Sequence, residues 1–405
     1  MPRTPREELF NATEVGILHC VQRCVRRAFL AGVDAASGES YEFRREWIRR
    51  RMELLASVFG VDILTYAILS NHLHIVIRNR PDIVTKWSYR EIAVRWLRVF
   101  PGRRIEEQLA EPTKSDVDKI VNNKERMAII NLRLSDPSWF MRALCEPIAR
   151  MANLHDKCTG RFWEGRFRAQ KIADESGLLA CCMYVDLNPI RAAIVATLEQ
   201  SVYTSAYDRI RSIQGVEINS AAAELAIASN EESGKRIRDT PVKKLKEERL
   251  AKKRLSIKKI PMDAWLAPMK LDERISKHLM KGSLSHATAS SSMHRSRSGV
   301  RASDKGFLSM STGDYLLLLE WTGQQTRASN QGKVPDNLQP ILGRLGIDAS
   351  MWCDLVWDFK KYFGGGSAVG SPYSLNEDAK ERGREWSRGQ RSSSTCFVNQ
   401  SKLDM

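Results

Sequence analysis

Two runs of strand-forming residues, separated by a two-residue turn, constrain this fold most strongly. Residues 61–69 are rich in Val, Ile, Leu, Thr and Tyr, and Ser70-Asn71 follows them. Residues 72–78 then alternate as His-Leu-His-Ile-Val-Ile-Arg. Strand-like runs around a short polar turn predict a β-hairpin. The chain is therefore expected to contain an antiparallel sheet.

Further strand and helix patterns lie on both sides of the hairpin. Residues 15–30 predict a first strand and 167–172 a short later one, while 81–136 predicts a helical insertion. Helices are predicted at 41–59, ended by Gly60 acting as a C′ glycine, at 137–154, and at 175–187 after an Asp174 N-cap. The order β-α-β-β-α-β-α predicts an α+β fold, with a ferredoxin-like antiparallel sheet and helices on one face.

Charge divides the 405-residue chain. Lys and Arg number 64 against 48 Asp and Glu, a net charge of +16 that points to a polyanionic partner. Twelve of these cations fall within 235–259. We therefore predict a body at 1–215, a basic, partly disordered linker at 216–309, and a small helical C-terminal module with a disordered tail at 310–405. The role of that module stays open, with homodimerisation as one possibility.

Neither a membrane span nor a secretory signal is expected. No apolar run reaches the ~18–20 residues that a span requires, and the first residues contain no apolar core of a signal. Eight cysteines without a Cys-x-x-Cys pair indicate reduced, structural thiols. The expected location is the cytoplasm, in association with the nucleoid.

His72 and His74 are the most informative residues. Side chains at i and i+2 on a strand share a face, and neutral imidazole binds several divalent metals. The alternative is two histidines that alternate at a strand edge without a ligand. By contrast, His19, Cys20 and Cys24 predict no zinc site, because neighbouring strand residues face opposite ways.

Tyr184 and Asn188 could complete such a site. They stand at i and i+4, so they share a face if the helix continues through this segment. A tyrosine oxygen can act as a nucleophile, and a divalent ion can polarise a phosphoryl oxygen. The alternative is a core tyrosine followed by a helix stop, since Pro189 disfavours a helical Asn188.

Together these segments resemble a known family. Residues 71–77 read Asn-His-Leu-His-Ile-Val-Ile, and 160–167 and 184–191 read Gly-Arg-Phe-Trp-Glu-Gly-Arg-Phe and Tyr-Val-Asp-Leu-Asn-Pro-Ile-Arg. They resemble the single-tyrosine HUH transposases of bacterial insertion sequences, above all the REP-associated tyrosine transposases, over roughly 12–210. The resemblance implies an HUH nuclease core in which Tyr184 is the nucleophile and His72, His74 and Asn188 hold Mg²⁺ or Mn²⁺.

The implied activity is metal-dependent cleavage and strand transfer of single-stranded or hairpin DNA through a 5′-phosphotyrosine. Basic side chains among aromatic ones are typical of single-strand binding. The expected DNA contacts are Arg23, Arg26, Arg27, Arg161, Trp163, Arg166, Arg168 and Arg191. The aromatic residues of 160–167 could instead belong to the core.

Two other functions remain open at this stage. The chain could be a catalytically silent descendant that binds DNA or RNA hairpins. It could also be a replication or conjugation initiator that uses the same chemistry, although the sequence contains no nucleotide-binding loop. The combination of two histidines, Tyr184 and Asn188 favours the nuclease, because binding alone needs no nucleophile.

Overall fold

A mixed five-stranded sheet forms the centre of the molecule. The computed structural model describes residues 9–25, 30–34, 37–101, 112–219, 259–270, 296, 298–325 and 334–398. The sheet has the order β2-β3-β1-β4-β7. Its strands are β1 (Ile17–Arg23), β2 (Val61–Ile68), β3 (His72–Asn79), β4 (Arg168–Ile172) and β7 (Ala368–Val369). A separate antiparallel pair joins β5 (Glu217–Asn219) and β6 (Lys259–Pro261).

The predicted hairpin is confirmed: β2 pairs antiparallel with β3. Strand β1 then pairs antiparallel with both β3 and β4, and β7 pairs parallel with β4 at the edge. The first strand is shorter than predicted, because regular pairing ends at Arg23 and Cys24 forms only an isolated bridge with Trp163. The β-α-β-β-α-β-α order is observed, and the fold is α+β.

Helices surround this sheet. In chain order they are α1 (Phe43–Val58), α2 (Pro81–Val84), α3 (Tyr89–Val99), α4 (Lys114–Val121), α5 (Lys124–Arg133), α6 (Pro137–His155), α7 (Glu175–Asp186), α8 (Asn188–Arg191), α9 (Ser205–Ile213), α10 (Thr312–Gln324), α11 (Gln339–Arg344), α12 (Trp352–Trp357), α13 (Phe359–Phe363), α14 (Pro372–Glu381) and α15 (Gln390–Ser393). The described part of the insertion is helical as predicted, and Asp174 caps α7 by accepting a hydrogen bond from the Gly177 amide. Among the described residues, no helix has the length and apolar character that a membrane crossing requires.

The expectation that helices cover one face of the sheet is wrong. One face buries Leu18, Leu73 and Ile75 in a core shared with α1, α3 and α6. The other face buries Ile17 and Val76 against α7 and the C-terminal helices. Both sets of side chains are apolar because alternate residues of β1 and β3 face two different hydrophobic cores.

Gly60 follows α1 but does not act as the C′ glycine that the sequence predicted. The last helical residue is Val58, and Phe59 is already extended. A Cβ at Gly60 would lie 2.2 Å from Val84 Cγ2 and 3.1 Å from the Arg80 carbonyl oxygen. The glycine therefore allows α2 to approach the strand closely; it does not supply the left-handed turn of a C′ glycine.

The C-terminal part packs directly on the body. Its β7 extends the sheet, and α12 packs against α7 within the core of the second face. Described segments of the predicted linker are also attached, since Asp62 accepts hydrogen bonds from Ser303 and Arg78 donates to the Lys305 carbonyl. The three-part division of the chain stays a prediction. Most of the basic 235–259 run lies outside the described residues.

Candidate active site

Three histidines lie on the second face of the sheet. In the antiparallel register, Val21 is opposite His74 and His19 is opposite Val76. Residues opposite each other and two apart share a face, so His19, His72 and His74 point to the same side. The predicted pairing of His72 with His74 is therefore present. His19, for which the sequence predicted no metal site, lies on the same face as these two histidines.

Two hydrogen bonds orient these rings. His19 Nε2 lies 2.9 Å from His74 Nδ1, and the two rings stack with centroids 5.1 Å apart. His72 Nδ1 lies 2.5 Å from Asn71 Oδ1, and its ring centroid is 4.8 Å from that of His74. If Nδ1 carries the proton in His72 and His74, both Nε2 atoms keep a lone pair. A hydrogen bond at the far nitrogen is typical of metal-binding histidines.

Burial keeps these imidazoles neutral. It lowers the pKa of His19 and of His72 from 6.5 to about 4, and it lowers that of His74 well below 6.5. The positive charge of Lys360 acts in the same direction on all three. Neutral imidazole is the form that binds a metal ion.

Tyr184 of α7 lies beside the histidines. Its ring centroid is 5.6 Å from that of His74, and the two rings meet edge to face. Phe359 stacks on Tyr184 at 4.5 Å, and the Arg191 guanidinium lies 4.6 Å from the Tyr184 centroid. These contacts leave Tyr184 only 2% exposed. The nucleophile expected from the sequence is therefore next to the histidines and closely packed.

Asn188 follows Tyr184 by one turn, as predicted. The chain does not run there in one helix: α7 ends at Asp186, Leu187 forms a turn, and Asn188 is the first residue of α8. The Arg191 amide donates to the Leu187 carbonyl and the Ala192 amide donates to the Asn188 carbonyl, so Asn188 is helical despite Pro189. Asn188 is buried, and its Nδ2 has no hydrogen-bond partner among the described residues. Rotating the amide by 180° exchanges Nδ2 and Oδ1, so this position can present an oxygen.

A divalent cation fits this donor set. His74 Nε2 and Asn188 Nδ2 are both buried polar atoms without a described partner. An amide oxygen suits Mg²⁺ or Mn²⁺, and neutral imidazole is a common ligand of divalent transition-metal ions. His19 does not join them through Nε2, which is occupied by His74. In the described part of the chain, no three His, Cys, Asp or Glu residues are grouped to hold a metal.

The expected DNA contacts divide into two groups. Arg23, Arg161, Arg166 and Arg168 are exposed, and Arg23 is 3.4 Å from Glu164. By contrast, Trp163 donates its indole N–H to the Cys145 carbonyl and packs on the first core. Arg191 donates to the Trp357 carbonyl and covers Tyr184. Trp163 and Arg191 thus have internal contacts, whereas Arg26 and Arg27 lie outside the described residues.

The sequence analysis missed His19, Phe359 and Lys360. His19 alternates with apolar residues in β1 as His74 does in β3, but only the strand register shows that they meet. Phe359 lies far from Tyr184 in sequence, and no local pattern relates it to a tyrosine on α7.

Comparisons with known proteins give little further information. No family model matches the chain, and no curated protein matches it. Among solved structures, one of a REP-associated tyrosine transposase bound to a REP hairpin is similar at 10% identity. The match covers 52% of this chain and 86% of that one, with a TM-score of 0.31. A likeness this distant carries no argument about activity.

Proposed function

We propose that this protein is a transposase-like, metal-dependent single-strand DNA endonuclease and strand transferase built on a ferredoxin-like HUH core. The proposal rests on one observation, the proximity of His72, His74 and Tyr184. Their ring centroids are 4.8 and 5.6 Å from the central His74 ring. A tyrosine packed beside neutral, oriented histidines combines a nucleophile with a candidate cation site.

Different residues would bind the metal ion and attack the phosphate. His72, His74 and Asn188 would hold Mg²⁺ or Mn²⁺, which when bound would withdraw charge from a phosphoryl oxygen. The Tyr184 hydroxyl oxygen attacks phosphorus, and the bond from phosphorus to the 3′ oxygen breaks. The tyrosine proton passes to water, and the departing 3′ oxygen takes up a proton from water. The products are a 5′-phosphotyrosine and a free 3′-hydroxyl, which can reverse the step and so transfer the strand.

A binding protein that does not cut is the second candidate. The burial of Tyr184 favours it, because a phosphate can reach the hydroxyl only if the contacts with Phe359 and Arg191 leave an opening. The exposed Arg23, Arg161, Arg166 and Arg168 suit single-stranded or hairpin DNA in either case.

The test is covalent capture. The purified full chain is incubated with labelled single-stranded and hairpin DNA in Mn²⁺ or Mg²⁺, and adducts are separated on a denaturing gel. We expect a metal-dependent adduct that Tyr184→Phe and His72→Ala both abolish. Tyr89→Phe, which changes an exposed tyrosine on α3, is the matched control and should leave the adduct unchanged.

Two other outcomes of this experiment would contradict the proposal. Hairpin binding by all four proteins without any adduct would support the silent binding protein and refute cleavage. An adduct that survives in Tyr184→Phe would show that another residue is the nucleophile.

A further inference from the structure

A groove in the C-terminal part lies close to the candidate active site. It has a volume of about 400 Å³ and is lined by Gly365, Ser367, Arg382 and residues 384–388. Its lining residue Ser367 accepts a hydrogen bond from the Lys171 amide of β4, on the side of β4 away from β1, where β7 extends the sheet. Nothing in the proposed cleavage step uses it.

The sheet connects this groove to the histidines. Gln170 of β4 is opposite His19 and donates hydrogen bonds to the carbonyls of Phe363 at 2.8 Å and Gly366 at 2.9 Å. Arg168 lies at the same sheet end as His72 and donates to the Gly364 carbonyl at 3.1 Å. Neighbouring strands are ~4.8 Å apart, so β4 is about 10 Å from the strand that carries His74.

The groove combines an exposed indole with cations. Trp386 is 67% exposed, the highest exposure of any aromatic side chain among the described residues. Arg384 and Arg388 are exposed beside it, and Glu385 is the single acid in the lining. The guanidinium of Arg382, which also lines the groove, is held by Asp378 and Ser367.

Gly365 provides room for one of these cations. A Cβ at Gly365 would lie 2.6 Å from the Arg388 guanidinium carbon. The absence of a side chain at Gly365 therefore leaves room for the Arg388 guanidinium, which lines the same groove as Trp386. An aromatic face between arginines is the combination that holds single strands, because bases stack on the ring while cations contact phosphates.

We propose that this groove binds single-stranded DNA beside the active site, with a base stacked on Trp386 and phosphates contacting Arg384 and Arg388. The inference rests on the proposed function and extends it. In this proposal the C-terminal part binds the DNA strand on one side of the phosphate that Tyr184 attacks. Arg168, at the groove's inner end, contacts the same strand between the two sites.

The test measures binding and cleavage separately in the full chain. Binding of a fluorescent 20-nucleotide oligo-dT is followed by anisotropy over a salt series. Trp386→Ala should weaken binding about tenfold, and Arg388→Ala should reduce the salt slope by about 0.7. The matched controls are Tyr373→Ala, an exposed aromatic on α14, and Arg126→Ala, an exposed arginine on α5; both should bind as the wild type does.

Two results would overturn the groove assignment. One is unchanged oligo-dT binding by Trp386→Ala; the other is an equal loss for a blunt duplex, which would indicate a general basic surface. Adduct formation on a short substrate of about five nucleotides serves as the second readout and should be unaffected in Trp386→Ala. If no protein forms an adduct, the proposed cleavage fails, but the anisotropy result still tests the groove.

Discussion

Replacing His19 by Gln should remove one part of the protein's sensitivity to mild acid, while the buried His72 and His74 remain in both proteins. The His19 ring is buried, and burial lowers its pKa from 6.5 to about 4. Folding therefore favours the neutral ring. Its contribution to stability is complete above pH 6.5, the unfolded value, and is lost as pH falls toward the folded value.

The magnitude follows from the pKa difference. Between pH 7 and about pH 4.5 the unfolded His19 takes up a proton and the folded one largely does not. At a pH two units below 6.5, this difference in proton binding lowers the unfolding free energy by about 3 kcal/mol. The glutamine of the His19→Gln variant cannot titrate, but its side-chain oxygen can still accept a hydrogen bond from His74 Nδ1, so the ring contact is partly preserved.

The assay compares urea unfolding of wild type and His19→Gln at pH 7 and about pH 4.5, with a chelator present to remove metal ions. The comparison of two proteins is needed because other groups titrate in the same range. Burial raises the pKa of Glu53 to about 7 and that of Asp208 to about 6. Because the folded state therefore binds their protons more readily than the unfolded state, these two acids oppose the loss of stability on acidification. These acids are the same in both proteins and cancel.

We expect the wild type to lose about 3 kcal/mol more than His19→Gln over this interval. An equal loss in the two proteins would refute the reasoning. It would mean that His19 is protonated in the folded protein, or that it is not buried between β1 and the C-terminal helices.

Three further perturbations test other parts of the structure. Phe359→Ala should lower the rate of adduct formation about tenfold, because the stacked ring positions Tyr184, and Phe359→Leu should restore most of it; equal adduct rates in all three proteins would contradict this role. Asp62→Ala should destabilise the fold by about 3–5 kcal/mol in chemical unfolding, since it leaves Arg78 buried without a carboxylate and leaves Arg80 with Asp82 alone. Loss of the exposed pair in Glu46→Ala should cost under ~1 kcal/mol. Gly177→Ala should loosen β7 from the sheet, seen as faster amide exchange at Val369, because its Cβ would lie 2.7 Å from the Val369 carbonyl oxygen; unchanged exchange would show that this packing can adjust.

Local pattern accounts for the elements that the sequence predicted well. The 61–78 hairpin, α1, α6 and α7 each have their own periodicity and a turn or cap residue nearby, such as Asp174. The two-residue spacing of His72 and His74 needs only a strand to place both rings on one face. The step from Tyr184 to Asn188 crosses the break between α7 and α8 at Leu187, and Asn188 is helical although it precedes a proline.

Non-local packing accounts for what could not be predicted. The apolar residues of 310–398 reveal helices but not the surface that those helices cover, so a separate module was the simplest interpretation. In the structure they bury the second face of the sheet, and Phe359 reaches Tyr184. Likewise, the meeting of His19 with His74 depends on the pairing of β1 with β3, which lie more than 50 residues apart in sequence.

Mapping the covalent link is the most direct test of the central claim. The chain is incubated with single-stranded DNA and Mn²⁺, treated with nuclease and trypsin, and analysed by mass spectrometry. We predict a nucleotide residue on the peptide 172–191, in which Tyr184 is the one tyrosine. A nucleotide on a different peptide, or none despite demonstrated DNA binding, would contradict the assignment of Tyr184 as the nucleophile.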